Sequence, residues 1–172
     1  MKQAFLDTDH KPAGAVFSED RKYRYLLWRE WDSSKPTCTF VLLNPSTADE
    51  FVLDNTLKRC LAFAKQWGYG RMDILNLFAL RSTDPTALYS SDDPVGPDNN
   101  EHLMKLEEGD MIVSGWGNHG VYKDRAAEVM RFLPSSMCLG INQNGTPKHP
   151  LYAASNTQLT QYLFKHGGPD GQ

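Results

Sequence analysis

Along this chain, blocks of apolar and polar positions alternate between the two periods that strands and helices require. Tyr23 to Trp31 (YRYLLWREW) is rich in aromatic residues and bounded by Asp, Ser and Pro, which favours a strand over a helix. Thr39 to Leu43 (TFVLL) is a short unbroken apolar run that stops at Asn44-Pro45, the pattern of a buried strand whose carboxyl end opens into a loop. From Asp54 the period lengthens: Leu57, Cys60, Leu61, Ala64 and Trp67 share one helical face, Asp54 or Asn55 can cap the start, and Gly68 and Gly70 end it. Met72 to Leu77 (MDILNL) predicts a second core strand, followed by a polar loop with Pro85, Pro94 and Pro97 and a short helix near Asn100 to Leu106. Met111 to Ser114 predicts the third. GWGNHG (115–120) then turns into a helix with Tyr122, Ala126, Val129, Met130 and Leu133 on one face. Met137 to Ile141 is the fourth strand, and beyond QNGTPKHP a final helix is expected, with Leu159, Tyr162 and Leu163 as its stripe.

Strand and helix in strict alternation give right-handed crossovers and a parallel sheet between two helical layers. The expectation is therefore a single α/β domain over 1–172: a three-layer α/β/α sandwich on a mostly parallel four-stranded sheet, plus an N-terminal extra strand or hairpin. Residues 1–20 read as polar and irregular and 166–172 as glycine-rich, so both ends are expected to be peripheral.

Composition narrows the class. In 172 residues, 40% hydrophobic and 23% charged, no apolar run approaches the roughly 18 residues of a membrane span, and the first residues carry charge where a signal peptide needs apolar length. A soluble cytoplasmic protein without a membrane partner is expected, with monomer as the default state. Cys38, Cys60 and Cys138 lack metal or redox spacing and read as small core residues. The net charge of −3 rules out bulk electrostatic binding of nucleic acid, so any such contact must be local. Charge is in fact uneven: Lys58, Arg59, Lys65, Arg71 and Arg81 outnumber Asp54 and Asp73 over 51–82, whereas 83–110 is strongly acidic.

In an open parallel sheet, ligands bind where strands end. The chain has no G-x-x-x-x-G-K-[ST], no G-x-G-x-x-G after a strand and no G-x-S-x-G, which disfavours ATP, dinucleotide and acyl-transfer chemistry. His102, His119 and His149 lack ligand spacing, so neither a metal nor a cofactor is expected. What remains past the strand ends is a neutral hydrogen-bonding set: Asn44-Pro45-Ser46-Thr47-Ala48-Asp49, Asn76, Gly115 to Asn118, and Pro147 to Tyr152. Such a set suits a flat polar ligand, because an Asn amide presents acceptor and donors side by side, as a pyrimidine edge requires.

These four segments, in this order, resemble the uracil-DNA glycosylase superfamily over about residues 38 to 165. LLNPS is similar to its water-positioning motif, with Asn44 matching the Asn of the mismatch-specific branch; ILNLF supplies the base-reading Asn76; GWGN matches its Trp-Gly-Asn run; KHPLYAAS supplies His149 of the His-Pro motif. The whole chain is also similar to a poorly characterised bacterial and phage family marked by LNPSTAD, WGYG, NLFA-R-T-DP, D-PVGP-N and PKHPLY. The resemblance implies a monofunctional DNA glycosylase that flips out a modified or damaged pyrimidine and leaves an abasic site. Asn44 and His149 would be catalytic, with Asp49 either a stronger base than Asn44 or a helix cap. Pro45, Ser46, Thr47 and Asn76 would line the base site, and Phe78 would stack. Lys58, Arg81 and Lys148 are candidates for phosphates beside the flipped nucleotide, and Tyr152 for contact with the duplex.

Two departures matter. Ser46-Thr47 stands where true uracil enzymes carry the Tyr-His that blocks a thymine methyl, so a larger 5-substituent is expected to fit, such as hydroxymethylated or glucosylated cytosine of phage DNA, which would suit anti-phage defence. Leu151-Tyr152 replaces the usual Ser-Pro, which alters the duplex-wedging loop. Other classes fit the same residues: a non-catalytic reader of a modified base, or an N-glycosidase acting on free nucleosides or nucleotides.

Overall fold

The four apolar runs are the parallel centre of a larger mixed sheet. In a computed structural model, which describes residues 2–6 as backbone and 12–46, 48 and 51–163 in full, the strands are β1 (Lys2–Leu6), β2 (Pro12–Phe17), β3 (Arg24–Glu30), β4 (Thr37–Leu42), β5 (Arg71–Asn76), β6 (Met111–Ser114), β7 (Ser136–Cys138) and β8 (Thr160–Tyr162). Their order is β1-β2-β3-β5-β4-β6-β7-β8. β4 pairs in parallel with both β5 and β6, and β6 with β7, whereas β1, β2 and β3 add antiparallel on one side and β8 on the other.

Both faces of the central strands are covered, which is why β4 reads as a continuous apolar run rather than an alternation. On one face α1 (Asn55–Gln66) buries Leu57, Cys60, Phe63 and Ala64 against Phe40, Met72, Ile74 and Val113. On the other, α2 (Asn99–Leu103) and α3 (Arg125–Met130), with a 3₁₀ turn at Pro85–Ser90, bring Leu88, Leu103, Ala126 and Val129 onto Val41, Leu75 and Ile112. Of the two caps expected, Asp54 and Asn55, it is the Asp54 side chain that caps α1, accepting from the Leu57 N–H at 2.9 Å. The cysteines are buried, and burial pushes the Cys38 thiol up to about 12 and the Cys60 thiol above its ordinary range, so neither is a thiolate at neutral pH.

Four expectations are corrected. The sheet has eight strands rather than four plus an edge element. The segment before residue 20 is integral to it, because β2 buries Ala13, Ala15 and Phe17 against β3. The expected final helix is instead β8, which pairs Ser136 with Tyr162 and Cys138 with Thr160. Tyr162 is buried where it meets the Trp116 ring edge-on, and a strand delivers it there. The helix expected after GWGNHG also begins late: Asn118–Asp124 is a kinked 3₁₀ segment, with Lys123 and Asp124 at positive φ, before α3 begins.

Candidate functional site

β4 is where the chain changes direction across the sheet: β5 follows it on one flank and β6 returns on the other. Open α/β sheets bind ligands outside the strands' carboxyl ends at such a switch point. A cavity of about 460 Å³ lies there, lined among others by Asn44 and Ser46 beyond β4, Asn76 ending β5, Trp116 beyond β6, and His149 and Tyr152 beyond β7. Its size is within the range of small-molecule sites.

The loop after β4 is fixed by backbone pairing that continues past the strand ends: Leu77 and Phe78 N–H donate to the Leu42 and Leu43 carbonyls at 2.9 Å, and Ser82 N–H to Pro45 O at 2.8 Å. Within this frame the Asn44 Nδ2 donates to the carbonyls of Pro45 (3.1 Å), Leu80 (3.4 Å) and Ser82 (3.1 Å). With the amide nitrogen so committed, its carbonyl oxygen is the end left to a ligand, which is the polarity needed to accept from a water.

Asn76 is the sharpest feature of the cavity. It is 1% exposed, and neither Oδ1 nor Nδ2 has a protein partner, although buried amides are almost always satisfied. Its backbone, by contrast, is held firmly. The Asn99 Nδ2 donates to the Asn76 and Leu77 carbonyls at 2.9 and 3.1 Å, and the buried Arg125 Nε donates to Leu77 O at 2.7 Å. The Trp116 indole N–H, also buried on the cavity wall, is likewise without an acceptor.

His149 is aimed by its own loop. The Leu151 N–H donates to its Nδ1 at 3.3 Å, so the proton of the neutral ring is on Nε2. Burial lowers its pKa, only partly offset by the charge of Asp54, so the ring is neutral at neutral pH and keeps one donor. The loop is tied down by Gly117 N–H to Pro147 O (3.0 Å) and Lys148 N–H to Gly140 O (2.8 Å), and the Arg59 guanidinium of α1 donates to the Ala153 carbonyl. Gly117 has φ +72°, a conformation that side chains avoid, and a Cβ there would come within 3.6 Å of the His149 Cβ. Tyr152, 79% exposed, stands beside His149 with ring centroids 5.9 Å apart.

Sequence reasoning missed two charged side chains on this wall. Asp54 lines the cavity as well as capping α1. Arg24 of β3 lines it too, 2% exposed, its Nη1 donating to the Ala48 carbonyl at 3.0 Å. No sequence signal marks Arg24: only the burial of β3 at most of its positions sets this charge apart. His119, at the rim, shares a 2.8 Å hydrogen bond between its Nδ1 and the Tyr89 hydroxyl.

Other expected site residues lie apart. Phe78 is fully buried among Leu77, Ala79 and Tyr122, so it has no ring face to offer a base, and the stacking role assigned to it is corrected. Pro45 is buried behind the turn, where its carbonyl serves Asn44 and Ser82, and it does not line the cavity. Lys58, Arg81 and Lys148 are also outside the lining; Arg81 donates to Arg21 O at 3.3 Å and packs its guanidinium over Phe17. Thr47 and Asp49 lie outside the described residues. Among the described residues no cluster of His, Cys, Asp and Glu offers a metal site, and no helix is long and apolar enough to cross a membrane.

No curated protein and no solved structure matches the chain. A family described as a protein of unknown function, DUF1643, matches residues 24–151, a span that runs from Arg24 through Asn44, Asp54 and Asn76 to the His149 loop. The chain belongs to the DUF1643 family.

Proposed function

We propose that this protein is a monofunctional DNA glycosylase that excises a modified or damaged pyrimidine. The observation that carries the reading is the Asn76 amide, buried with both polar atoms unmet in a cavity that Asn44 and His149 also line. A flipped base would supply the missing partners on its Watson–Crick edge.

Hydrolysis of an N-glycosidic bond passes through a sugar of oxocarbenium character, while the bonding pair leaves with the base. The His149 Nε2–H, a neutral donor, would stabilise the charge growing on the pyrimidine carbonyl oxygen. The Asn44 carbonyl oxygen would hold the attacking water. An amide does not take the water's proton, and Asp54, a carboxylate lining the same cavity, is the group suited to accept it as the C1′–O bond forms. Removing one preorganised donor of the His149 kind typically lowers turnover about 10²–10³-fold. A cavity of about 460 Å³ has room beyond a single pyrimidine ring, which favours a 5-substituted base such as hydroxymethylated or glucosylated cytosine in phage DNA, and with it a role against phage. The protein would act in the cytoplasm.

The test is incubation with duplexes carrying uracil or modified cytosines, and with modified phage genomes, followed by alkali and by quantification of released base. Cleavage that disappears in Asn76→Ala supports the reading; strands left intact throughout, with no base released, overturn it. A second reading, an N-glycosidase on free nucleotides, is favoured by the net charge of −3 and predicts base release from monomers but not polymer.

A further inference from the structure

The chemistry proposed above gives no part to a buried charge on the cavity wall, Arg24. The Arg24 guanidinium is 2% exposed, yet its one hydrogen bond among the described residues is to the neutral Ala48 carbonyl, and its Nε has no partner. No carboxylate among the described residues forms an ion pair with it. Buried guanidinium groups are ordinarily met by an acid or by a bidentate acceptor, because five donors and a full charge are too costly to strand in a low-dielectric interior. Asp54 favours the charged form from a distance, but one of its oxygens is committed to capping α1.

The surroundings of Arg24 have a chemistry of their own. The twelve-residue α1 opens onto the cavity through Asp54, Thr56 and Leu57, bringing the positive end of its dipole. The hydroxyl-bearing residues Ser46, Thr56 and Thr83 line the same cavity. A buried guanidinium, a helix N-terminus and hydroxyl donors around one space are complementary to a tetrahedral oxyanion. Asn76, unmet in the same cavity, is complementary to a neutral base edge.

We propose that Arg24 anchors a phosphate of the ligand, so that the cavity takes a nucleotide rather than a bare base or nucleoside. The proposal rests on the cavity holding a base, as in the reading above, but not on any bond being cleaved. The phosphate belongs either to a free mononucleotide or to the strand carrying the flipped residue.

Calorimetry on the whole chain separates these cases. The probes are the four 2′-deoxynucleosides, their 5′-monophosphates, inorganic phosphate and short single-stranded oligonucleotides, tested against the wild type, Arg24→Gln and Asn76→Ala. The wild type is expected to bind a monophosphate or an oligonucleotide at least about tenfold more tightly than the matching nucleoside, the scale of one charge-assisted contact, and inorganic phosphate should compete. Arg24→Gln should remove that preference while leaving nucleoside binding intact; Asn76→Ala should do the reverse. A preference confined to oligonucleotides assigns the phosphate to the strand, and one seen with monomers to a free nucleotide; both uphold the anchor. Phosphate binding that depends on Arg24 without any base discrimination upholds the anchor and overturns the base reading. Equal affinity of the wild type for nucleosides, monophosphates and oligonucleotides overturns the proposal, as does equal weakening of all ligands by Arg24→Gln, which would make Arg24 only a clamp on the Ala48 loop. Should Arg24→Gln fail to fold, as judged by circular dichroism, Thr56→Val and Thr83→Val take its place, and an unchanged phosphate preference in both counts against the site.

Discussion

Burying the Asn76 amide with neither end satisfied costs the fold about 1–3 kcal/mol, the penalty of a desolvated polar group without a partner. Such a cost persists where function requires it. Replacing Asn76 by Leu, of similar shape and without polar atoms, is therefore expected to raise the free energy of unfolding by about 1 kcal/mol or more in urea titrations while eliminating base release and nucleoside binding. A variant less stable than the wild type would show that the amide has a structural role. Asp54 allows a comparable separation. Asn and Asp are equally good helix caps, so Asp54→Asn should keep the hydrogen bond to the Leu57 N–H and leave stability within a few tenths of a kcal/mol. Its amide cannot take a proton, and turnover should fall about 10²-fold or more, the usual worth of a positioned base. Equal turnover in the two proteins would confine Asp54 to capping. Asn76 was legible in the sequence because an amide inside MDILNL is out of place; Arg24 and Asp54 were not, because Arg within an aromatic strand passes for a solvated edge and Asp before a helix passes for a cap alone.

At the level of elements, what could be read from sequence follows burial. β4, β5 and β6 place core residues on both faces, and such strands are largely apolar, so their runs stand out, whereas β7 covers only Ser136–Cys138 of the expected Met137 to Ile141. β2 (PAGAVF) is built from small residues and carries Pro and Gly, and β8 is three residues long; neither has a pattern strong enough to distinguish it from loop or helix. The cavity depends on joints that no periodicity signals. Trp116, ending the segment beyond β6, lies directly over Gly120 of the following 3₁₀ turn: a Cβ at Gly120 would sit 2.1 Å from the indole Cδ1 and 2.8 Å from its Nε1. The ring is 1% exposed and edge-on to Tyr162, so it has nowhere to retreat except into the cavity. Gly120→Ala should thus cost about 1–3 kcal/mol, as overpacking does, and weaken ligand binding as well. Denaturant titration and ligand calorimetry on the same sample check both; a loss of stability with unchanged affinity would mean that the ring shifts elsewhere.

Across the whole molecule, two histidines in separate sites make the stability of the fold depend on pH. His149 at the cavity and His102 on α2, stacked on Tyr25 with centroids 5.2 Å apart, both have pKa values lowered by burial from an ordinary 6.5. For His102 the charge of Lys105 lowers it further, against the opposing pull of Asp98 and Glu101. For each, the unfolded chain binds the proton at a higher pH than the folded chain, so between the folded value and 6.5 the unfolded state carries more protons and stability rises with pH. The contribution is complete above about 6.5 and is lost as pH falls through the folded value. Asp73 runs the other way: burial raises its carboxyl above 3.8 despite the hydrogen bond from Arg71, so it favours the fold only while protonated, and that contribution disappears as pH climbs through its folded value. The melting temperature should therefore climb through the mildly acidic range up to about pH 6.5 and level off beyond it. His149→Gln and His102→Gln should each flatten part of the climb, and the double variant most of it, because the two rings lie in separate sites and their effects should add. If the double variant retained the wild-type slope, the histidines would not be the groups that bind the protons. Because His149 lines the cavity and His102 does not, substitution of His149 alone should also remove base release, so one series of variants separates the pH dependence of the fold from the chemistry of the site.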